Sequence, residues 1–242
     1  MGDRIQLPKI GRVKIKLSRE VVGKISNVTV TRIASGKYYV SLCVTYEADA
    51  FSNAGGQLGI DVGLKEFYSD SNGNTVANPR TLREWSRKLA REQRKLSRKM
   101  PRSRRRDKQR IRVARVHEHI ANIRQDFLHK LSTKLVRENK TIAIEDLKVK
   151  NMMKNHKLAK AIADVSWSEF FRMLEYKAIL YGSEVIRIHT LYPSSQTCHE
   201  CGYQNPITKD LSVREWDCPK CGHHCDRDVN AAQNILAVAL SS

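Results

Sequence analysis

Four cysteines in two Cys-x-x-Cys pairs are the residues of this sequence most plainly arranged for chemistry. Cys198-His-Glu-Cys201 and Cys218-Pro-Lys-Cys221 are separated by 16 residues, inside the spacing of a four-cysteine zinc site. Each pair sets two thiolates on a tight turn, and Gly202 and Gly222 follow where the backbone must fold round an ion. Four sulfurs complete the tetrahedron of Zn²⁺ and leave no open position, so the expected role of Cys198, Cys201, Cys218 and Cys221 is structural. Cys225, His223 and His224 lie near enough to substitute for a ligand and are read as bystanders, while Cys43 stands alone. The other candidates are carboxylates. In Leu58-Gly-Ile-Asp-Val-Gly63, two-residue alternation puts Ile60 and Val62 on one face. Asp61 then lies between two glycines on the other face, which a metal ion and a phosphate can approach closely. Glu145 ends the apolar run Ile142 to Ile144, at the carboxyl edge of a sheet, and Asp228 opens an apolar helix. Taken singly, each has a plainer reading: a turn residue, an exposed strand end beside Asp146, a helix cap.

These residues need elements to hold them. Gly11 to Leu17, Ile25 to Ile33 and Tyr38 to Tyr46 alternate apolar with polar residues, which predicts half-buried antiparallel strands, with Ser35-Gly36-Lys37 as a turn. They read as the tail of a β domain, and Asn53-Ala-Gly-Gly56 as a flexible joint behind it. Leu58 to Gly63, Glu66 to Ser69 and Thr75-Val76 are the next strands, with Asp70-Ser-Asn-Gly73 as the turn before the last. Pro79 opens a helical region: Leu82, Trp85, Leu89 and Leu96 mark one helix and Met100-Pro101 breaks it. Val116, Ile120, Ile123, Phe127, Leu131 and Leu135 mark a second. Thr141 to Glu145 is a buried strand, followed by a polar loop through His156. A helix from about Ser166 to Tyr181 ends at Gly182, Glu184 to Ile188 is a strand, and Asp228 to Leu240 is a last apolar helix. This is the element order of an α/β ribonuclease H-like fold with a mixed sheet. The expected organisation is a partial antiparallel β segment over residues 1–53, then a domain over 54–242 with a helical hairpin at 79–139 and a zinc ribbon at 192–225. In such a sheet the first strand, a central strand and the C-terminal helix carry the acids, and those elements carry Asp61, Glu145 and Asp228. Together they would suit two Mg²⁺ ions about 4 Å apart, the arrangement that hydrolyses phosphodiesters.

The charge of the chain points the same way. Its 242 residues carry a net charge of +19, with 40% hydrophobic residues and a mean hydropathy of −0.52. That is too apolar for a disordered tail and too polar for a membrane protein. A pI near 9.9 calls for an acidic partner, nucleic acid first and an anionic membrane surface second. No apolar run approaches the ~18 residues of a spanning helix, and the start of the chain lacks the apolar core of a signal peptide. An intracellular protein is expected, and there clustered cysteines are metal ligands more often than disulfides. Residues 80–115 hold 17 Lys or Arg against three acids. Like charges at i,i+4 repel, so phosphates are expected to offset them, held through backbone contacts by Arg87, Lys88, Arg91, Arg94, Lys95, Arg98, Arg104, Arg105 and Arg106. His117 and His119, two apart on a helix, point apart and are given a surface role.

Several segments also carry a resemblance: Gly59-Ile-Asp-Val-Gly63, Ile144-Glu-Asp-Leu147, the two Cys-x-x-Cys pairs, and Asp226-Arg-Asp-Val-Asn-Ala-Ala232 with Asn234-Ile235. Together with Ser166-Trp-Ser-Glu-Phe and Tyr192-Pro-Ser-Ser-Gln-Thr-Cys198, they resemble the RuvC-type nuclease segments and zinc ribbon of the TnpB (OrfB) family of bacterial insertion sequences. That family is related to type V CRISPR effectors. The resemblance implies an RNA-guided, Mg²⁺-dependent DNA endonuclease, with Asp61, Glu145 and Asp228 as the metal-binding acids and guide RNA and target DNA as partners. It selects Asp228 over Asp226 by an Asp-x-Asn-Ala-Ala pattern, leaves Asp226 as a cap, and gives Arg227 or nearby lysines such as Lys148 a part in steadying the strand. The implied location is the cytoplasm of a bacterium or archaeon, on the nucleoid. Family members carry an upstream recognition segment and the first half of a wedge-like barrel, of which residues 1–50 hold at most the tail. The readings of that difference are a fragment, a decayed or internally started copy, or a compact form that relies on RNA, a second copy of the chain or another protein. The alternative function is a truncated zinc-ribbon protein that binds RNA or DNA without cutting.

Overall fold

A computed structural model describes residues 4–47, 51–210 and 212–241. Strands β1 (Arg4–Leu7) and β2 (Gly11–Lys14) form one antiparallel ribbon, and β3 (Lys24–Arg32) and β4 (Tyr38–Thr45) a second. The alternating stretches are thus strands, though β2 stops at Lys14 and β1 was not expected; residues 48–50 of that segment lie outside the described ones. The ribbon tip rests on a helix and does not hang free. Lys37 Nζ at 2.8 Å and Tyr39 Oη at 2.9 Å donate to Glu118 Oε1, and the Lys37 hydrogen bond above all holds that carboxyl down at about 2.

Strands β5 (Gly56–Val62), β6 (Glu66–Asp70) and β7 (Thr75–Ala77) form an antiparallel meander; β8 (Asn139–Glu145) and β9 (Glu184–Ile188) extend it in parallel to β5. The sheet order is β7-β6-β5-β8-β9, the mixed sheet of a ribonuclease H-like fold. Between β7 and β8 stand the long helices α1 (Thr81–Ser97) and α2 (Arg104–Glu138). Helices α3 (Val149–Met152), α4 (Ala159–Val165) and α5 (Trp167–Tyr181) separate β8 from β9. Strands β10 (Glu215–Asp217) and β11 (His224–Asp226) belong to the cysteine-rich insert, and α6 (Arg227–Ser241) closes the described chain. Among the described residues no helix is long and apolar enough to cross a membrane.

Two-residue alternation assigns the faces of the sheet. Leu58, Ile60, Ile142 and Ile144 meet Leu128 and Leu135 of α2 and Phe170 and Leu174 of α5, each such burial stabilising by about 1.5–3 kcal/mol. Ala143 and Ile188 meet Ile235 and Ala239 of α6 on the opposite face. Gly59 also faces α6: a Cβ there would lie 2.0 Å from Ala232 O and 2.9 Å from Leu236 Cβ. The missing side chain next to Asp61 therefore admits a helix, where the sequence had suggested room for a phosphate.

The hairpin is capped by distant residues. Arg80 stands at a left-handed φ of 45° and gives α1 no side-chain cap; instead Asp164 of α4 accepts from Leu82 N at 3.0 Å and from Arg124 Nη2 at 2.7 Å. Leu89 of α1 packs against Val113, Val116 and Ile120 of α2. Arg106 Nη1 donates to Leu96 O and Lys99 O and closes the turn between the helices. The joint at Asn53 is tethered, not flexible, because Asn53 Nδ2 donates to Tyr181 O and Gly182 O, both at 3.1 Å. Within the expected polar loop α3 forms, with Val149 and Met152 against the core, and beyond the loop α4 forms because Ile162 and Val165 reach the core, a tertiary gain that a mostly polar stretch does not advertise.

Candidate metal sites

The four sulfurs of Cys198, Cys201, Cys218 and Cys221 lie within 4.8 Å of one another. Cys198 and Cys221 Sγ are 3.8 Å apart and Cys201 and Cys218 Sγ 3.5 Å, all as free cysteines. A tetrahedron with Zn–S bonds of 2.3 Å has sulfurs about 3.8 Å apart, so the set has the dimensions of a zinc site. The turns place them: Gly202 N donates to Cys198 O and Gly222 N to Cys218 O, with both glycines at positive φ. Although burial works to raise it, the Cys218 thiol is drawn down to about 6 by the backbone N–H groups of Cys221 and Lys220 and by Cys201, an environment that favours a thiolate ligand. Cys225 is buried against Trp216 and lies outside the four, as do His223 and His224.

The three acids are assembled from far apart. Parallel β5 and β8 pair Gly59 with Ala143 and Ile60 with Ile144; one step further puts Asp61 level with Glu145, on strands about 4.8 Å apart. Both then share the face over which α6 runs, with Asp228 in its first turn. Their mutual field registers in the protonation of Asp61. Burial first, then the charges of Asp228 and Glu145, push its carboxyl up to about 8. Burial pushes Glu145 up to about 7. Its neighbour Asp146 is the reverse case, ion-paired to Lys148 and Arg187 and held below the usual carboxylate range chiefly by Lys148. The acids do not gather as tightly as the sulfurs: among the described residues only the cysteines form a group of three or more whose ligand atoms all lie within 4.8 Å of one another. A wider set can flank a pair of cations, each touching some of the acids.

Two arginines meanwhile attend Asp228. Arg227 approaches Oδ1 through Nε at 3.2 Å and Nη2 at 3.0 Å, and Arg214 Nη1 lies 3.2 Å from Oδ2. Arg227 is 7% exposed, unlike the exposed arginines of the hairpin, and its Nη1 is buried without a partner among the described residues. Lys148, considered as a strand contact, is committed to Asp146. Arg106 is committed to the hairpin turn, while Arg87, Lys88, Arg91, Arg94, Lys95, Arg98, Arg104 and Arg105 are exposed. Asp226 Oδ1 accepts from Asp228 N and Val229 N and so caps α6, which frees Asp228 from that duty.

Sequence reasoning missed the link between the two sites. Asn230, one turn into α6, accepts from His199 N at 2.9 Å and donates to Thr197 O at 2.7 Å. Asn234 donates to Ser194 O and Thr197 O. Arg227 N donates to Arg214 O at 2.8 Å. The neck of the cysteine-rich insert is thereby sewn to the helix that carries Asp228. An asparagine every fourth residue on an otherwise apolar helix was the available signal.

Comparison with known proteins agrees with this architecture. Residues 41–156 match the family model OrfB of IS605, described as a probable transposase, and residues 167–235 match the TNB domain of Cas12f1-like proteins. The chain is 46% identical over 217 residues to a protein of Streptomyces pristinaespiralis named "Putative RNA-guided DNA endonuclease", covering 90% of this chain and 54% of that one. It is 36% identical over 252 residues to InsQ of Escherichia coli K12, which carries the same description, covering 98% and 62%. The chain thus spans about half to three-fifths of these relatives. A cryo-EM structure of a Cas12f1-sgRNA-target DNA complex shares the fold, with a TM-score of 0.53 at 19% identity over 86% of this chain and 55% of that one. A CRISPR-Cas12f ternary complex gives 0.55 at 19% identity over 86% and 44%. With the acids and the four-cysteine cluster in their expected order on a ribonuclease H-like sheet, these matches establish that the chain belongs to the TnpB (OrfB) family.

Proposed function

We propose that this chain is an RNA-guided DNA endonuclease that hydrolyses phosphodiesters with two Mg²⁺ ions held by Asp61, Glu145 and Asp228, while Cys198, Cys201, Cys218 and Cys221 hold a structural Zn²⁺. The observation that carries the reading is the crowding of negative charge at Asp61, pushed up to about 8 by burial, Asp228 and Glu145. Three acids facing one another in a partly buried cleft are costly alone and suited to divalent cations. Bound there, such ions supply an activated water and stabilise the leaving oxygen. The chain's own residues do the rest. Asp61 and Glu145 fix the cleft from the sheet, α6 carries Asp228 against it, and Arg227 and Arg214 set the position and charge of Asp228.

Guide RNA and target DNA are the proposed partners, as in the Cas12f complexes whose fold the chain shares. The exposed cations of α1 and α2 would grip the sugar–phosphate backbone by charge and leave sequence to base pairing. Functions housed in the remaining length of the relatives would come from RNA, a second copy of the chain or another protein. The site of action is the nucleoid. The test is plasmid nicking by the purified chain in Mg²⁺, with the RNA that copurifies with it. Asp61→Ala is expected to drop cleavage below detection and leave nucleic-acid affinity within about twofold, because the grip lies on the hairpin. Cleavage that survives in this variant removes Asp61 from the centre. A wild-type chain that holds a discrete RNA yet never nicks DNA is the non-cleaving binder.

A further inference from the structure

A hollow of about 430 Å³ opens on the side of the helical hairpin, lined by residues that belong to neither the cysteine cluster nor the set of Asp61, Glu145 and Asp228. Its volume falls in the range of small-molecule clefts. The walls are Trp85 of α1 and His119 of α2, whose rings meet edge to face with centroids 4.2 Å apart, and the floor is Val116. The rim is cationic: Lys88, Arg112 and Arg115 line it without a carboxylate partner among the described residues. The one acid present, Glu92, is already engaged by Gln109 Nε2 at 2.7 Å and Lys95 Nζ at 3.1 Å. No negative charge remains to neutralise the rim.

Trp85 sits between Leu82 and Leu89 at the edge of the interhelical seam. That seam runs through Leu82, Leu89 and Leu96 and turns polar at Glu92 and Gln109, so the indole is not needed to seal it. The ring is half-buried, and its face is covered by the exposed Lys88, with Nζ 4.5 Å from the centroid. A lysine lid of this kind is readily exchanged. A nucleobase stacked on an indole gains more than an exposed cation–π contact does, and the displaced ammonium can move to a phosphate.

We infer that this hollow is a stacking subsite for an unpaired nucleotide, with the base on Trp85 beside His119 and the flanking phosphates on Lys88, Arg112 and Arg115. A duplex cannot use it, because paired bases are stacked on one another and offer no free face to the indole. The rest of the hairpin binds backbone without regard to strandedness; here strandedness is sensed. The inference needs no cleavage, so it stands or falls independently of the three acids.

Tryptophan fluorescence reads the site directly. The chain has three tryptophans, and Trp167 and Trp216 are only 2% and 6% exposed. Stacking at Trp85 therefore dominates any quenching by an added ligand. The full chain is titrated, without Mg²⁺, with 12-nucleotide oligo-U, 12-nucleotide oligo-dT, a blunt 12-base-pair duplex and free UMP. Both oligonucleotides are expected to quench and the duplex not to. The tighter of the two assigns the site to RNA or DNA, and equal response to UMP alone makes it a mononucleotide site instead. Trp85→Ala is expected to weaken single-strand binding about tenfold, with duplex binding changed less than about twofold, and Trp85→Phe to retain most of the affinity. His119→Ala should cost about threefold. Absence of quenching, quenching by the duplex to the same extent, or an equal loss of both affinities in Trp85→Phe would overturn the inference.

Discussion

The cysteine cluster and the acid cluster are both gatherings of potential metal ligands, and they are assembled in opposite ways. The cysteines span 24 residues of sequence, and their sulfurs already stand at zinc-site distances. Neutral thiols can crowd without a cation, so local turns suffice to assemble them. The acids come from β5, β8 and α6, with Asp61 and Asp228 standing 167 positions apart. Carboxylates placed together repel, and the chain tolerates them through protons on Asp61 and Glu145 and through Arg214 and Arg227 on Asp228. The difference teaches that one site organises its own segment, whereas the other is imposed by the sheet at an electrostatic cost that protons and arginines offset.

The largest effect that separates them is expected from Cys218→Ser. Binding energies of four-cysteine zinc sites are on the order of 10 kcal/mol, so the variant should copurify without zinc and lose order across 192–225, read by zinc stoichiometry and protease sensitivity. If Mg²⁺ affinity also collapses, the two sites are not separable units. Next comes pH. Asp61 and Glu145 bind their protons more tightly in the fold than in the open chain, so the metal-free fold holds extra protons between about pH 4 and 8. Stability is greatest below that window and is lost as pH rises through it, by on the order of a few kcal/mol. Millimolar Mg²⁺ should flatten or reverse the slope. Chemical denaturation at pH 5.5 and 8.5 checks it, and a slope indifferent to Mg²⁺ would mean the acids never share an ion.

Asn230→Ala sharpens the comparison by cutting the thread between the sites. It leaves His199 N without its partner and Thr197 O with Asn234 alone, and should cost about 1–3 kcal/mol, seen as a lower melting temperature with zinc content retained. A melting temperature unchanged by the substitution would leave the insert and α6 mechanically independent. Smallest is Glu118→Gln, which removes the carboxylate under Lys37 and Tyr39. Solvent screens an ion pair of this kind and leaves it a small share of the stability. Stability should barely move, while hydrogen exchange at the β3–β4 tip rises.

Much of this was legible in the residues themselves. The Asn72-Gly73 turn, the break at Met100-Pro101 and the Cys-x-x-Cys spacing are local signals, and each element they predicted is present. What escaped depended on partners far along the chain. Asp164 reads as an ordinary helix acid until it is seen capping α1, 82 positions upstream of it. Gly59 looks like open space beside Asp61 until Ala232 O fills it. Arg214 lies in a polar loop with no motif around it, and only the folded insert brings it to Asp228. The candidate acids could be named from fold order, but their counter-charges could not.

The cap at Asp164 also makes the hairpin a lever. One carboxylate grips Leu82 near the foot of α1 and Arg124 partway along α2, so both arms share a single fulcrum on α4. From Arg124 to the basic start of α2 at Arg104 is 20 residues, about 30 Å of rigid rod. A tilt of about 5° at the fulcrum swings that end through roughly 2.6 Å, nearly a hydrogen-bond length. Small adjustments where α4 meets the sheet are therefore magnified into strand-scale travel at the cationic tip.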